Sequence, residues 1–291
     1  MNKAKIHYYD IGDYLSREDK LRIIREFGSV ERIPWTILQP NEHGDWINHR
    51  NEMFKQFIPI EPEKKFAKGQ KSFFETYAIG VATNRDAWVY NSSQQTLEKN
   101  MLSMIDFYNK QKEAYSNAVK GNGNLSVEEF INTDDTKISW TVNLKKDIER
   151  NVEHCYISDI RDSIYRPFFK QRLYFDKPFI ERIGLSPKLF PTPEHENLVI
   201  CISGIGASKD FSVIITNCIP CLDLVEKSQC FPLYWYDNSD ADVIDLFNQN
   251  AEKKVDRYVR KDGVTDWILT TARKQYGYKV TKEDIFYYVY G

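Results

Sequence analysis

Residues 163–176 (Ser-Ile-Tyr-Arg-Pro-Phe-Phe-Lys-Gln-Arg-Leu-Tyr-Phe-Asp) interleave the rings of Tyr165, Phe168, Phe169 and Tyr174 with the cations Arg166, Lys170 and Arg172 around Pro167. Flat rings offer stacking surface, and guanidinium and ammonium groups donate to phosphates and base edges, so this mixture suits a nucleic acid. The same composition also makes an ordinary strand, turn and strand, with rings in a core and cations in water.

Other reactive patterns are sparse. There is no Gly-x-x-x-x-Gly-Lys-Ser/Thr loop to cradle a nucleotide's phosphates. No two prolines are adjacent, which removes the usual catalytic loop of amino-methyltransferases. Gly121/Gly123 and Gly204/Gly206 are the Gly-x-Gly pairs, and neither opens a dinucleotide fingerprint; a hairpin turn is the plainer reading of the second. Cys218-Ile-Pro-Cys221 follows the apolar run Val213-Ile-Ile215 and has redox-dithiol spacing. Its flanks do not otherwise match that fold. Zinc would need a second close pair, whereas Cys201 and Cys230 stand singly. Packed free thiols at a strand end are therefore expected. His7, His43, His49, His154 and His195 never fall at His-x-x-x-His spacing, and no Gly-x-Ser-x-Gly elbow supports a serine triad.

The 291 residues allow one large domain or two medium ones. At 42% hydrophobic and 28% charged the composition is that of a soluble globular protein, and the 14% aromatic content leaves many rings for cores or contacts. A net charge of −2 excludes a global positive field, so a nucleic-acid surface has to be a local patch. No apolar run approaches membrane-spanning length, and the first residues lack a signal-peptide core. Five scattered cysteines, an odd number, fit free thiols in a reducing cytoplasm.

These residues need elements to hold them. Residues 5–11 alternate as a strand, and Ser16-Arg-Glu-Asp19 caps a helix to about Phe27 with Leu21, Ile24 and Phe27 as its stripe, ended by Gly28. Ile33–Leu38 reads as a strand and Asp45–Phe57 as a helix. Residues 58–72, with Pro59, Pro62, Gly69 and four lysines, form the best boundary. Phe73–Val81 is a short apolar segment, and residues 83–91 read as a turn and then a strand. Gln94–Val119 is the longest helix, with Leu97, Met101, Met104, Ile105 and Tyr108 at three- and four-residue spacing. Ser126-Val-Glu-Glu129 caps a short helix, and Leu144–His154 is a polar helix or linker. Leu198–Ser203, Phe211–Thr216 and Phe231–Tyr236 read as strands, and Val243–Val259 as a helix. Thr281-Lys-Glu-Asp284 is a capping box ahead of Ile285–Tyr290, after which only Gly291 remains; a longer natural chain is expected. The mixture lacks strict strand–helix alternation, so the expected class is α+β, with mixed sheets flanked by helices.

The order of segments resembles the C-terminal region of type ISP restriction–modification enzymes, the single-polypeptide, helicase-containing kind. The resemblance covers essentially the whole chain. It is carried by Arg17-Glu-Asp-Lys-Leu21, Gln39-Pro-Asn-Glu-His-Gly-Asp-Trp46, Thr83-Asn-Arg-Asp-Ala-Trp-Val-Tyr-Asn91, Asn100-Met through Ile105-Asp-Phe-Tyr-Asn109, Ile164-Tyr-Arg-Pro-Phe168, Gln229-Cys-Phe-Pro-Leu-Tyr234 and Asp284-Ile-Phe-Tyr-Tyr-Val-Tyr-Gly291. It implies that residues 1–68 are the tail of an adenine methyltransferase domain with a linker, and that residues 69–291 are a target-recognition domain for double-stranded DNA. Upstream methyltransferase, helicase and nuclease domains would then carry S-adenosylmethionine, ATP and magnesium, and this chain would need no cofactor. The target adenine would leave the stack to reach the upstream pocket.

Under that reading Arg85, Arg166, Lys170 and Arg172 are candidates for phosphate or base contact, with Tyr165 and Tyr174 behind them. Asn91 and Asn217 are candidates for polar readout. Because Tyr165-Arg-Pro-Phe168 marks the family while targets differ, Tyr165 and Phe168 read as a structural corner. Base readers are expected in more individual segments, at Lys209 and its neighbours or in the stretch Arg257–Arg273. For each cation the plain alternative is a solvated charge. Two other functions stay open: a structural module that docks on a methyltransferase or helicase, and an independent enzyme with an unrecognised site.

Overall fold

The computed structural model describes residues 4–121, 125–238 and 257–291. The chain divides into two compact units, Met1–Phe57 and Ile58–Gly291.

In the first unit, β1 (Ile6–Tyr8) is followed by α1 (Arg17–Phe27) and β2 (Thr36–Leu38). The strands pair antiparallel, with Ile6 opposite Leu38. The α1 cap is as expected: the Ser16 hydroxyl accepts from the Asp19 amide at 3.1 Å, and Gly28 ends the helix at φ +70°, where glycine carries no Cβ penalty. The expected helix over Asp45–Phe57 does not form; one 3-10 turn at Glu52–Gln56 is all the helical structure there. Local bonds win instead. Asn41 Oδ1 accepts from the amides of His43 and Asp45, and the Asp45 carboxylate holds Arg50. None of the described residues 4–57 is buried.

The second unit carries, in chain order, β3 (Ala78–Ile79), α2 (Asp86–Val89), β4 (Tyr90–Asn91), α3 (Gln94–Gly121), α4 (Val127–Phe130), α5 (Val142–Glu149), β5 (Ile160–Arg166) and β6 (Phe169–Tyr174). It continues with α6 (Ser186–Leu189), β7 (Val199–Ile202), β8 (Val213–Thr216), β9 (Ile219–Pro220), β10 (Gln229–Pro232), β11 (Tyr234–Asn238), β12 (Tyr258–Asp262), α7 (Asp266–Tyr276) and α8 (Lys282–Tyr290). One sheet runs β3-β10-β7-β8, all antiparallel. The other runs β4-β6-β5-β9, with β5 and β9 parallel. A separate ribbon pairs β11 with β12. The fold is mixed α+β, as the sequence implies.

The five residues spaced for the apolar face of α3 are all buried, together with Leu173 and Tyr174 of β6 and Leu144 and Ile148 of α5. Burying one such aliphatic side chain stabilises the fold by about 2 kcal/mol. A second cluster joins Phe74, Phe231, Val264, Ile268, Ile285 and Phe286. There the Thr281 capping box forms in full and lays α8 on the core. Residues 78–82 stitch the sheets together. Ala78 pairs with Cys230 in one sheet, while the Val81 amide reaches Pro220 O at 2.9 Å and the Leu222 amide reaches Val81 O. At the crossing, a Cβ on Gly80 would collide with the Cys221 backbone.

Several boundaries differ from expectation. The segment 83–91 is a short helix before its two-residue strand. The run 231–236 is two strands broken at Leu233, whose amide turns to Leu198 O while its carbonyl takes the Gly263 amide. Residues 243–256 of the expected helix Val243–Val259 lie outside the described residues, and Tyr258 and Val259 belong to β12. The boundary segment 58–72 folds with the second unit: Phe66 packs on Trp235 at 4.6 Å, and Gln229 donates to Glu61.

Candidate nucleic-acid interface

Strand alternation puts Lys170 and Arg172 on one face of β6. Cross-strand partners on β5 are Ile164 and Asp162, and Arg172 makes its ion pair with Asp162. Lys170 Nζ donates at 3.1 Å to Oδ1 of Asn217, which lies in the connection between β8 and β9. These three residues line a cavity of about 750 Å³ whose lining also includes His195, Tyr234 and Arg260. The Arg260 guanidinium lies 4.4 Å from the centre of the Tyr234 ring. The cavity thus joins two phosphate-sized cations, an amide and a cation-capped ring. Its lining holds four cations (Arg161, Lys170, Arg172, Arg260) against three carboxylates (Asp162, Glu196, Glu283). Arg161 is spent internally on Asp159 and Pro191 O. The Arg172–Asp162 pair is roughly half exposed on both sides. Such pairs contribute about 0–1 kcal/mol, so a phosphate competes for Arg172 at little cost.

The other sequence candidates lie elsewhere. Arg85 is only 3% exposed. It gives one bond, to Thr141 Oγ1 at 2.6 Å, and burial pulls its guanidinium down to about 10. It is an interior residue, not a surface phosphate contact. Tyr174 is fully buried, stacks on Tyr156, and its hydroxyl accepts from the Ile157 amide at 2.9 Å. Its phenol is pushed up by burial. Its neighbours along the same strand face reach the cavity, but β6 has entered the core by residue 174. Asn91 lies beside Arg172 in the sheet and spends its Oδ1 on the Ser93 amide. Arg166 folds over the Tyr165 ring at 3.9 Å and reaches Tyr165 O and Cys221 Sγ, while Tyr165 donates to Asp86 at 3.0 Å. Lys209 is exposed on the loop between β7 and β8, and Glu226 accepts from its backbone amide. Arg273 closes the turn between α7 and α8 through Val280 O.

Tyr234 and His195 were not singled out by sequence, and Arg260 was covered only as part of Arg257–Arg273. Nothing in the local pattern of β11 and β12 marks them; the ribbon's register brings Tyr236 opposite Arg260 and sets Tyr234 within reach. The thiols of Cys218 and Cys221 are buried and pushed up by that burial, which disfavours the reactive thiolate. Cys201 and Cys230, directly opposite on β7 and β10, have sulfurs 3.7 Å apart. Among the described residues no group of His, Cys, Asp and Glu is arranged to hold a metal, and no helix is long and apolar enough to cross a membrane.

The sequence model of a family described as the type ISP C-terminal specificity domain matches residues 72–291. Three solved structures are similar across nearly the entire chain. A nuclease-deletion mutant of the type ISP restriction–modification enzyme LlaGI, in complex with a DNA substrate mimic, shares 30% identity at a TM-score of 0.74; the alignment covers 100% of this chain and 24% of that one. The ATP-dependent type ISP enzyme LlaBIII bound to DNA shares 29% identity at 0.75, covering 99% of this chain and 17% of that one. The DrdV–DNA complex shares 27% at 0.77, covering 98% and 26%. The chain therefore spans about a quarter or less of the length of these proteins. No curated protein matches it.

Proposed function

Because the chain belongs to the type ISP C-terminal specificity domain family, we propose that it is the target-recognition module of such an enzyme, binding duplex DNA and presenting an adenine for methylation elsewhere in the polypeptide. The observation that carries this is the cavity whose lining gathers Lys170, Arg172 and Asn217 with Arg260 and Tyr234. Lysine and arginine suit phosphates and guanine edges, and asparagine suits adenine. The three similar structures each hold DNA or a mimic of it. In this reading the methyltransferase, helicase and nuclease, with their S-adenosylmethionine, ATP and magnesium, are other parts of the same polypeptide, working in the cytoplasm.

The test is fluorescence anisotropy of the 291-residue chain on a 30-base-pair duplex at 50 and 200 mM salt. Three phosphate contacts give a log–log slope near −2.7, hence a loss on the order of 40-fold over that range. Micromolar binding with that sensitivity supports the module. Binding that is absent or indifferent to salt overturns it.

A second reading is favoured by one observation and concerns residues 1–57. No described residue of this unit is buried, while Leu21, Ile24, Val30, Trp35, Trp46 and Phe54 are exposed. Such a surface fits a docking tail against a methyltransferase or helicase domain. Residues 58–68 fold with the second unit, so the proposed tail ends near Phe57.

A further inference from the structure

The β5–β6 hairpin turns in two residues, with Arg166 paired to Phe169 and Pro167-Phe168 between them. Phe168 is 93% exposed and holds φ at +61°. That left-handed conformation favours glycine or asparagine, and a bulky ring there is unusual. Neither packing nor turn chemistry accounts for a phenylalanine at this position. The ring stands on a tip that the proline stiffens from one side and the β5–β6 ladder from the other.

The same strand says what the ring meets. Lys170 and Arg172 follow Phe168 by two and four residues, about 7 and 13 Å along β6. A duplex stacks its base pairs about 3.4 Å apart. With both cations on phosphates, the tip therefore lies within a few base steps of them. Resting on the DNA-recognition reading above, we propose that Phe168 is an apolar wedge that enters a base step of the bound duplex and partly unstacks it. Phenylalanine is among the side chains that act in this way, and every base offers a π-face on which its ring can stack. A wedge also lowers what a base must give up to leave the stack.

Anisotropy would be measured for the full chain and for Phe168→Asn and Phe168→Leu, on a matched 30-base-pair duplex and on the same duplex with a central two-base mismatch. Asparagine tolerates the left-handed turn, so the melting temperature of Phe168→Asn should not fall, and thermal denaturation checks this. A wedge favours DNA that is already unstacked, so wild type should bind the mismatched duplex about tenfold more tightly than the matched one. Phe168→Asn should bind both alike, and Phe168→Leu should keep most of the preference. If wild type binds both duplexes equally, or Phe168→Asn keeps the full preference, the wedge is overturned while DNA recognition stands. If wild type binds neither duplex, both proposals fall together.

Discussion

The two units are built from similar kinds of residue, yet the second has an interior while no described residue of the first is buried. The first unit holds Leu21, Ile24, Trp35, Trp46 and Phe54 in water and is organised by local polar bonds, such as the Ser16 cap and the Asn41–Asp45–Arg50 turn. The second unit closes two apolar clusters around Leu97–Tyr108 and around Phe231. Local bonds can set a turn or start a helix, but each contributes only about 1 kcal/mol against the entropy of ordering the chain. The second unit therefore has the means to hold side chains rigidly at a surface.

The sharpest contrast comes from the cores. Phe231→Ala removes a fully buried ring that packs on Phe74 at 5.2 Å. It should cost about 3–5 kcal/mol. Ile24→Ala trims a side chain that is 54% exposed. It should shift stability by no more than about 0.5 kcal/mol. Guanidinium denaturation of the two variants reads the difference, and equal losses would show that the first unit buries its stripe in solution.

Charge should divide the units in the same way. Replacing both Lys170 and Arg172 by alanine removes two phosphate contacts. It should weaken duplex binding about tenfold at moderate salt and lower the salt slope by nearly 2. Replacing Arg17 and Lys20, exposed on α1, should leave both unchanged. A larger effect from the α1 pair would move the DNA surface to the first unit.

What was legible in the sequence follows the same line. The face of α3 reads directly because a helix buried along one stripe leaves a three- and four-residue rhythm, and all five marked residues are buried. The Thr281 box reads because a cap is a local bond. The segment 45–57 misreads because helical spacing stabilises a helix only when something covers the apolar face. Arg85 is a lone cation and Tyr174 belongs to the same aromatic- and cation-rich strand as the surface candidates, but tertiary packing takes both inside. Lys170 and Asn217 are 47 residues apart, and only the β5–β9 pairing brings their connections together. The hydroxyl of Tyr174 tests this reassignment. Tyr174→Phe loses a buried bond to the Ile157 amide. It should cost about 1 kcal/mol in thermal denaturation and leave DNA affinity untouched.

The smallest effects should differ in sign with pH. In the first unit, the bonds from Arg50 and Asn41 draw the Asp45 carboxyl from 3.8 down to about 2. A depressed acid adds stability above its unfolded value that is lost as pH falls through the folded one, so this turn should loosen between about pH 4 and pH 2. In the second unit, burial pushes Asp176 above 3.8, with His154 and the Tyr174 hydroxyl opposing. A raised acid contributes fully below its unfolded value and loses that contribution as pH rises through the folded one. Asp176→Asn should therefore raise the melting temperature slightly at pH 7 and leave it unchanged near pH 3. The Asp45 turn shows in the amide shifts of His43 and Asp45, which should move only at the acid end. A loss of stability in Asp176→Asn at pH 7 would mean that hydrogen bonding outweighs burial at that carboxylate, and the two units would then respond to pH in the same sense.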